Sequence, residues 1–211
     1  MSRVVVFGAG GRAGRAAVAE ARRRGHQVTA VVRDPGAHGS LPTDGVRLVV
    51  GDATDPDSVA KVAAGHDAAV SAVYDASARP DAFYPGVARA LLDGLAAAEV
   101  GRLLVVGLAA VLTTAQGVAL MDSPGYPQEY RGFALAHAAG VQVLRAAPAG
   151  VDWLVVSPAG DFDHGGGRTG RYRATTADLA SRISYPDLAV ALIDEIDAPV
   201  HHRTQVGVET A

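Results

Sequence analysis

Short, wholly apolar runs alternate along the chain with longer stretches whose apolar residues recur at helical spacing. Val4-Val5-Val6-Phe7 is apolar at every position, the pattern of a strand covered on both faces. A helix is predicted over residues 13–24, with Gly25 as its stop. A second strand over 28–32 follows, then a third over 46–50 behind a Gly/Pro/Ser-rich loop. Asp55 stands where its side chain can cap a helix over 56–64, and Pro56 suits the first helical turn. Residues 67–71 read as strand four, 83–99 as a long helix and 102–106 as strand five.

The second half is less regular. Residues 108–127 form a loop of roughly 20 residues, a length that is usually functional or mobile inside a compact domain. A helix over 128–147, a strand over 153–156, a Gly-rich turn over 161–170 and a short strand over 171–173 follow. A helix over 185–196 and a strand over 204–208 close the chain. The rhythm predicts an α/β fold: a Rossmann-type, doubly wound parallel sheet with helices on both faces and a small C-terminal substrate region. No internal repeat or linker divides residues 1–211, so one domain is expected, with a cleft formed mainly by 107–132 and 157–185.

Composition narrows the chemistry. Cysteine is absent, which excludes disulfides, thiolate metal sites and a cysteine nucleophile. The net charge is -3 and no basic block dominates, so nucleic acid is not an expected partner. Arg22-Arg23-Arg24 falls at a predicted helix end, where it complements the macrodipole. No apolar stretch is long enough to span a bilayer, and Gly8 to Gly14 interrupts the first apolar run too early for a signal peptide. A cytoplasmic protein is expected. Of the 19 basic side chains only Lys61 is lysine, a bias that suggests a GC-rich bacterial genome.

Residues 8–14 read Gly8-Ala9-Gly10-Gly11-Arg12-Ala13-Gly14, directly after a strand and opening a helix. That context is what a dinucleotide-binding glycine loop requires. Gly8 allows the tight turn, Gly10 or Gly11 lets backbone N–H groups approach a pyrophosphate, and Gly14 allows close helix packing. The helix N-terminus, at Arg12 and Ala13, supplies free donors and a partial positive charge. The second strand ends in Val32-Arg33-Asp34. A basic residue at that tip accommodates the 2′-phosphate of NADP, whereas an acidic one favours NAD. Arg33 comes first, and Arg12 could reach the same phosphate, so NADP(H) is expected over NAD(H). Asp34 then points away or caps a turn. Asp52, in Gly51-Asp52-Ala53, is either an acceptor for the adenine amino group or an N-cap or turn residue.

These pieces, in this order, resemble the atypical short-chain dehydrogenase/reductases, specifically the NAD(P)H-binding, NmrA-like group. The resemblance rests on the loop at 8–14, Arg33, and Gly51-Asp52-Ala53-Thr54-Asp55. It extends to Ser157-Pro158-Ala159-Gly160-Asp161-Phe162, Thr169-Gly170-Arg171-Tyr172, and Arg182-Ile183-Ser184-Tyr185-Pro186-Asp187-Leu188-Ala189. Biliverdin-IXβ/flavin reductases are similar in layout. The resemblance implies a substrate cleft over the nicotinamide. It puts Ser71 and Ala72 along the ribose and pyrophosphate, Gly107 and Leu108 beside the nicotinamide, and Ser157, Pro158 and Ala159 on its carboxamide side. Leu108, Phe162 and Tyr172 would border the substrate.

The chain departs from mainstream reductases at the proton donor. Those enzymes use a Tyr with a Lys four residues on, and none of the six tyrosines here has one. The usual Ser after strand five is also missing from Val106-Gly107-Leu108-Ala109-Ala110-Val111. Hydride transfer itself is the cofactor's chemistry and needs no protein acid. The candidates for proton transfer are Asp161, whose pKa an apolar site would raise, and Tyr126 and Tyr130 beside the long loop. Each has a plain structural alternative, as a turn residue or as cleft-wall packing. His137 reads as a packing residue on its helix, and His164 is a lesser candidate in the Gly-rich turn. His201-His202 would point to opposite faces of an extended segment, and with no carboxylate expected beside them they read as surface rather than metal site.

Three functions follow from this reading. The first is an NADPH-dependent reductase of a quinone, flavin or enone. The second is a cofactor-sensing regulatory protein, and the third a non-redox isomerase or cyclase. A small-molecule substrate is the expected partner, membranes are not, and a homodimer is left open.

Overall fold

A computed structural model of the chain describes residues 1–38 and 45–211. The Gly/Pro/Ser-rich loop expected before the third strand lies largely outside them. The strands are β1 (Arg3–Phe7), β2 (Gln27–Val32), β3 (Val46–Val50), β4 (Ala68–Ser71), β5 (Arg102–Val106), β6 (Asp152–Pro158), β7 (Asp161–Asp163), β8 (Tyr172–Thr175), β9 (Arg182–Ser184) and β10 (Thr204–Thr210). The helices are α1 (Arg12–Arg23), α2 (Pro56–Ala63), α3 (Pro80–Ala97), α4 (Arg131–Ala146) and α5 (Tyr185–Asp197).

Eight strands form one sheet in the order β3-β2-β1-β4-β5-β6-β10-β8. Every pairing in it is parallel except β10 with β8, at the edge. The doubly wound Rossmann-type α/β fold follows from alternation along β1. Val4 and Val6 face α1 and α5, in a core with Val18, Leu154, Val156, Leu188 and Leu192. Val5 and Phe7 face α2, α3 and α4, in a core with Val59, Leu91, Leu95, Leu103 and Trp153. Both strand faces are therefore apolar, which is why the strand sequences carry no period of two. The strand order reverses between β1 and β4, and ligands of such sheets bind in the crevice this opens beyond the strand ends.

The Asp55 cap is present, its Oδ1 accepting from the Asp57 amide. The second half differs from expectation in three places. Residues 161–163, expected as part of a Gly-rich turn, form β7 and pair in parallel with β9, a strand with no sequence signal. Residues 128–130 make a 3-10 turn after Pro127 before α4 begins. The loop at 108–127 contains two further 3-10 turns, at Ala109–Val111 and Leu120–Asp122.

His201 and His202 also differ, because carboxylates do reach them. His201 Nδ1 lies 2.6 Å from Glu195 Oε1, and His202 Nδ1 lies 2.7 Å from Asp152 Oδ2. Arg102 binds the same two acids, at 2.7 Å to Asp152 and 3.0 Å to Glu195. The pair therefore belongs to an ion network fastening β5, β6 and α5. Among the described residues no group of three or more His, Asp or Glu is placed to hold a metal ion. Among them, too, no helix is long and apolar enough to cross a membrane.

Candidate cofactor-binding site

The loop between β1 and α1 is built by close backbone packing. Gly8 has φ +73°, a region that L side chains avoid. A Cβ there would stand 2.5 Å from the Ala72 carbonyl oxygen, after β4. On Gly14 a Cβ would run into the Gly8 carbonyl oxygen and the Ala9 Cα. Gly14 therefore lets α1 pack on the loop itself. The Ala9 amide donates to Val31 O at 3.2 Å and the Gly11 amide to Gly8 O at 3.1 Å, tying the loop to β2 and to itself. Arg15 adds a brace that sequence reasoning missed: its Nε donates to Gly10 O at 2.8 Å.

Gly11 is different. A Cβ there would meet nothing closer than Gly8 O at 3.5 Å, so its front faces open space. Gly11 is also the N-cap of α1, where no side chain among the described residues caps the helix and no acid occupies the first turn. The amides of the first turn thus aim at a groove, backed by the partial positive charge of a 12-residue helix. This donor set fits the pyrophosphate of a dinucleotide.

The groove has a volume of about 550 Å³ and runs from Gly8, Gly10 and Gly11 past Arg33, Asp52, Ala53 and Ala72 to Tyr74 and Phe83. Seven of the residues expected around the cofactor therefore share one surface. Val31, Val32 and Val73 give it apolar walls. Asp34 caps a turn, its Oδ1 accepting from the Gly36 amide at 2.9 Å. Asp52 also serves a turn, its Oδ1 accepting from Thr54 N at 2.8 Å and Thr54 Oγ1 at 2.7 Å, while it lines the groove. Arg33 stands at the rim with its guanidinium 2.6 Å from Asp75 Oδ2. Arg12 turns the other way, with Nη1 2.9 Å from His164 Nδ1.

Ser71, Gly107 and Leu108 line a second, much smaller cavity of about 50 Å³ between α3 and α4, with Tyr84 and His137. Ser157 follows at the end of β6, fully buried, its Oγ without a hydrogen-bond partner among the described residues. A Cβ on Gly107 would run into that hydroxyl, so the β5 end depends on glycine there. Pro158 and Ala159 are buried, and the Ala159 amide donates to Val208 O at 2.8 Å.

The expected substrate and proton-transfer residues are dispersed. Phe162 stacks on Tyr185, with centroids 4.1 Å apart, and Tyr185 Oη lies 3.2 Å from His164 Nδ1. Tyr172 packs against the core under α1 and α5, where burial and the Asp194 carboxylate push its hydroxyl up to about 12. Neither Phe162 nor Tyr172 lines the groove. Asp161 is exposed, and its Oδ1 accepts from the Phe162 amide at 2.7 Å. Tyr126 packs on Ala109, Leu112, Leu120 and Ala177, and burial raises its hydroxyl pKa. Tyr130 is exposed ahead of α4, and Ala134 occupies the position four residues on.

His137 lies among rings, 3.7 Å from the Tyr84 centroid and 4.7 Å from that of Phe133. Burial pushes its pKa down to about 4. The folded chain thus keeps it neutral where the unfolded chain, with an ordinary value of about 6.5, takes up a proton. Stability is fully present above the ordinary value and is lost as pH falls toward 4. We expect urea unfolding of wild type to weaken between pH 6.5 and 4 by at most about 1.4 kcal/mol per pH unit from this group. His137→Phe should remove that part of the slope. An identical slope in the variant would show that the ring titrates freely.

A mostly parallel Rossmann-type sheet with a glycine cradle at its switch point defines a dinucleotide-binding protein. Comparison with known proteins agrees. The model of the NAD(P)H-binding family matches residues 8–199, and the chain belongs to that family. It is 33% identical over 214 residues to the uncharacterized protein YwnB of Bacillus subtilis (strain 168), covering 98% of this chain and 97% of that one. A solved structure from Burkholderia pseudomallei, named as a candidate exported protein, is 37% identical with a TM-score of 0.86, covering 99% of this chain and 100% of that one. Another, from Streptococcus pneumoniae TIGR4, is named as a candidate NADH-flavin reductase. It is 29% identical, with a TM-score of 0.83 and both chains covered in full. The fold is that of an atypical short-chain dehydrogenase/reductase-like, NAD(P)-binding oxidoreductase.

Proposed function

We propose that the protein is an NADPH-dependent reductase of a small, cyclic or conjugated organic acceptor such as a quinone, flavin or enone. The observation that carries this reading is the uncapped N-terminus of α1 opening on a groove with Arg33 at its rim. Bound there, the cofactor would supply the hydride. Gly11 and the first amides of α1 would hold the pyrophosphate, and Arg33 the 2′-phosphate. Tyr74 and Phe83 extend the wall toward the ring cluster of Tyr84, Phe133 and His137, flat apolar surface suited to a conjugated ring. The name of the pneumococcal relative, a candidate NADH-flavin reductase, supports a flavin acceptor and leaves the choice of NADPH to Arg33. Quinones and flavins accept a hydride without a dedicated protein acid, which suits a chain lacking the Tyr-Lys pair.

The test is NADPH consumption against a panel of quinones, free flavins and cyclic enones. Turnover with at least one class is expected. Tight NADPH binding with no turnover across the panel would overturn the reading. It would favour a cofactor-sensing protein, a role to which the lack of any tyrosine followed four residues on by lysine already points.

A further inference from the structure

Arg33, the residue that would take the 2′-phosphate, already has a carboxylate partner. It follows β2, while Asp75 follows β4, and β1 lies between those strands in the sheet. Their ion pair, at 2.6 Å, therefore crosses the C-terminal end of β1, where Gly8 opens the cofactor loop. The two partners are held unequally. Asp75 Oδ1 accepts from the Ser77 amide at 2.9 Å and from Ser77 Oγ at 2.6 Å, leaving Oδ2 to Arg33. The Asp75 side chain is 12% exposed and that of Arg33 is 60% exposed. The acid is fixed to its own loop, and the guanidinium is the part that can swing.

We propose that Asp75 is an internal competitor for the anion that Arg33 would bind, and that it sets the balance between NADPH and NADH in this groove. The proposal rests on the dinucleotide reading above. A 2′-phosphate must either draw Arg33 away from Asp75 or share it with a carboxylate a few ångströms off. Either route weakens phosphate binding, because like charges then meet at one guanidinium. A ribose 2′-hydroxyl carries no charge and can donate to a carboxylate, so NADH suffers no such penalty. Asp75 thus lowers selectivity for NADPH below what Arg33 alone would give.

The experiment is calorimetric titration of wild type, Asp75→Asn, Arg33→Ala and the double variant with NADPH and with NADH. Asparagine keeps an oxygen to accept from Ser77 and removes the charge. Asp75→Asn is expected to tighten NADPH roughly three- to tenfold and to change NADH less than about twofold. The gain should shrink in the Arg33→Ala background, since the competition is for that side chain. Ser77→Ala, which loosens Asp75 without removing it, should shift the ratio the same way by a smaller factor. An unchanged ratio, or weaker NADPH binding in Asp75→Asn, would overturn the proposal and make Asp75 a clamp that presents Arg33. If wild type prefers NADH and Asp75→Asn moves the ratio toward NADPH, the NADPH assignment fails and this proposal stands. Absence of binding to either dinucleotide would overturn both.

Discussion

Replacing Gly11 with valine is expected to leave a folded chain that binds neither NADPH nor NADH. The structure separates the two effects. Inside the protein a Cβ at this position meets nothing nearer than 3.5 Å, so the fold accommodates a side chain. Valine is a poorer helix N-cap than glycine, a loss of about 1 kcal/mol. The branched side chain instead fills the space in front of the first-turn amides. Losing two amide–phosphate hydrogen bonds costs about 3–6 kcal/mol, or a hundredfold or more in affinity. Gly14 offers no such separation, because its Cβ would collide with backbone and disturb the fold along with the site. Calorimetry with each dinucleotide, beside a thermal melt, reads both effects. Near-native binding by Gly11→Val would place the pyrophosphate elsewhere.

The second large effect is expected at Glu20, on the buried side of α1, with its side chain 2% exposed. Its carboxylate is held by Arg23 at 2.6 Å, Arg24 at 2.8 Å and Arg168 at 2.8 Å. Arg24 in turn reaches Asp194 at 2.6 Å and Asp197 at 3.0 Å on α5. Glu20 thus joins α1 to the segment before β8 and, through Arg24, to α5. Burial alone would raise its pKa, but the bonds from Arg23, Arg168 and Arg24 outweigh burial and hold it far below the carboxylate range. Glu20→Ala leaves the arginines facing one another. We expect a loss of about 2–3 kcal/mol, reduced from the value for a fully buried pair because the arginines are partly solvated. That corresponds to a melting temperature lower by roughly 5–10 °C. The pH dependence has a fixed sign. A carboxylate with a depressed folded pKa stabilises at neutral pH, and its contribution is lost as pH falls below about 4.3. The gap between wild type and Glu20→Ala should therefore be full at pH 7 and narrow in stronger acid. Equal melting temperatures at pH 7 would contradict the network's role.

How far the sequence foretold this depends on the range of each interaction. The first half was legible because β1, β2 and β4 are buried, mostly apolar runs and α2 begins with a recognisable cap, at Asp55 and Pro56. The glycine loop was legible because all of its chemistry lies within seven consecutive residues. β7 and β9 were hidden because each has only three residues, and the pairing of Phe162 with Ile183 leaves no local period. Polar partners at long range were also hidden. Asp75 lies 42 residues from Arg33, and Asp152 lies 50 from His202, so neither ion pair leaves a mark on local composition. Asp152, which binds His202, was missed for that reason, whereas Glu195 lies only six residues before His201 and was within local reach. Arg33 itself was visible, but its being already engaged was not.

The central claim is that the amides opening α1, beneath Gly11, hold a nicotinamide dinucleotide. The most direct measurement is calorimetric titration of the wild-type chain with NADPH, run beside Gly11→Val. The expected result is saturable binding at one site per chain for wild type and no heat of binding for the variant. Absence of binding to wild type, or equal affinity in both proteins, would contradict it.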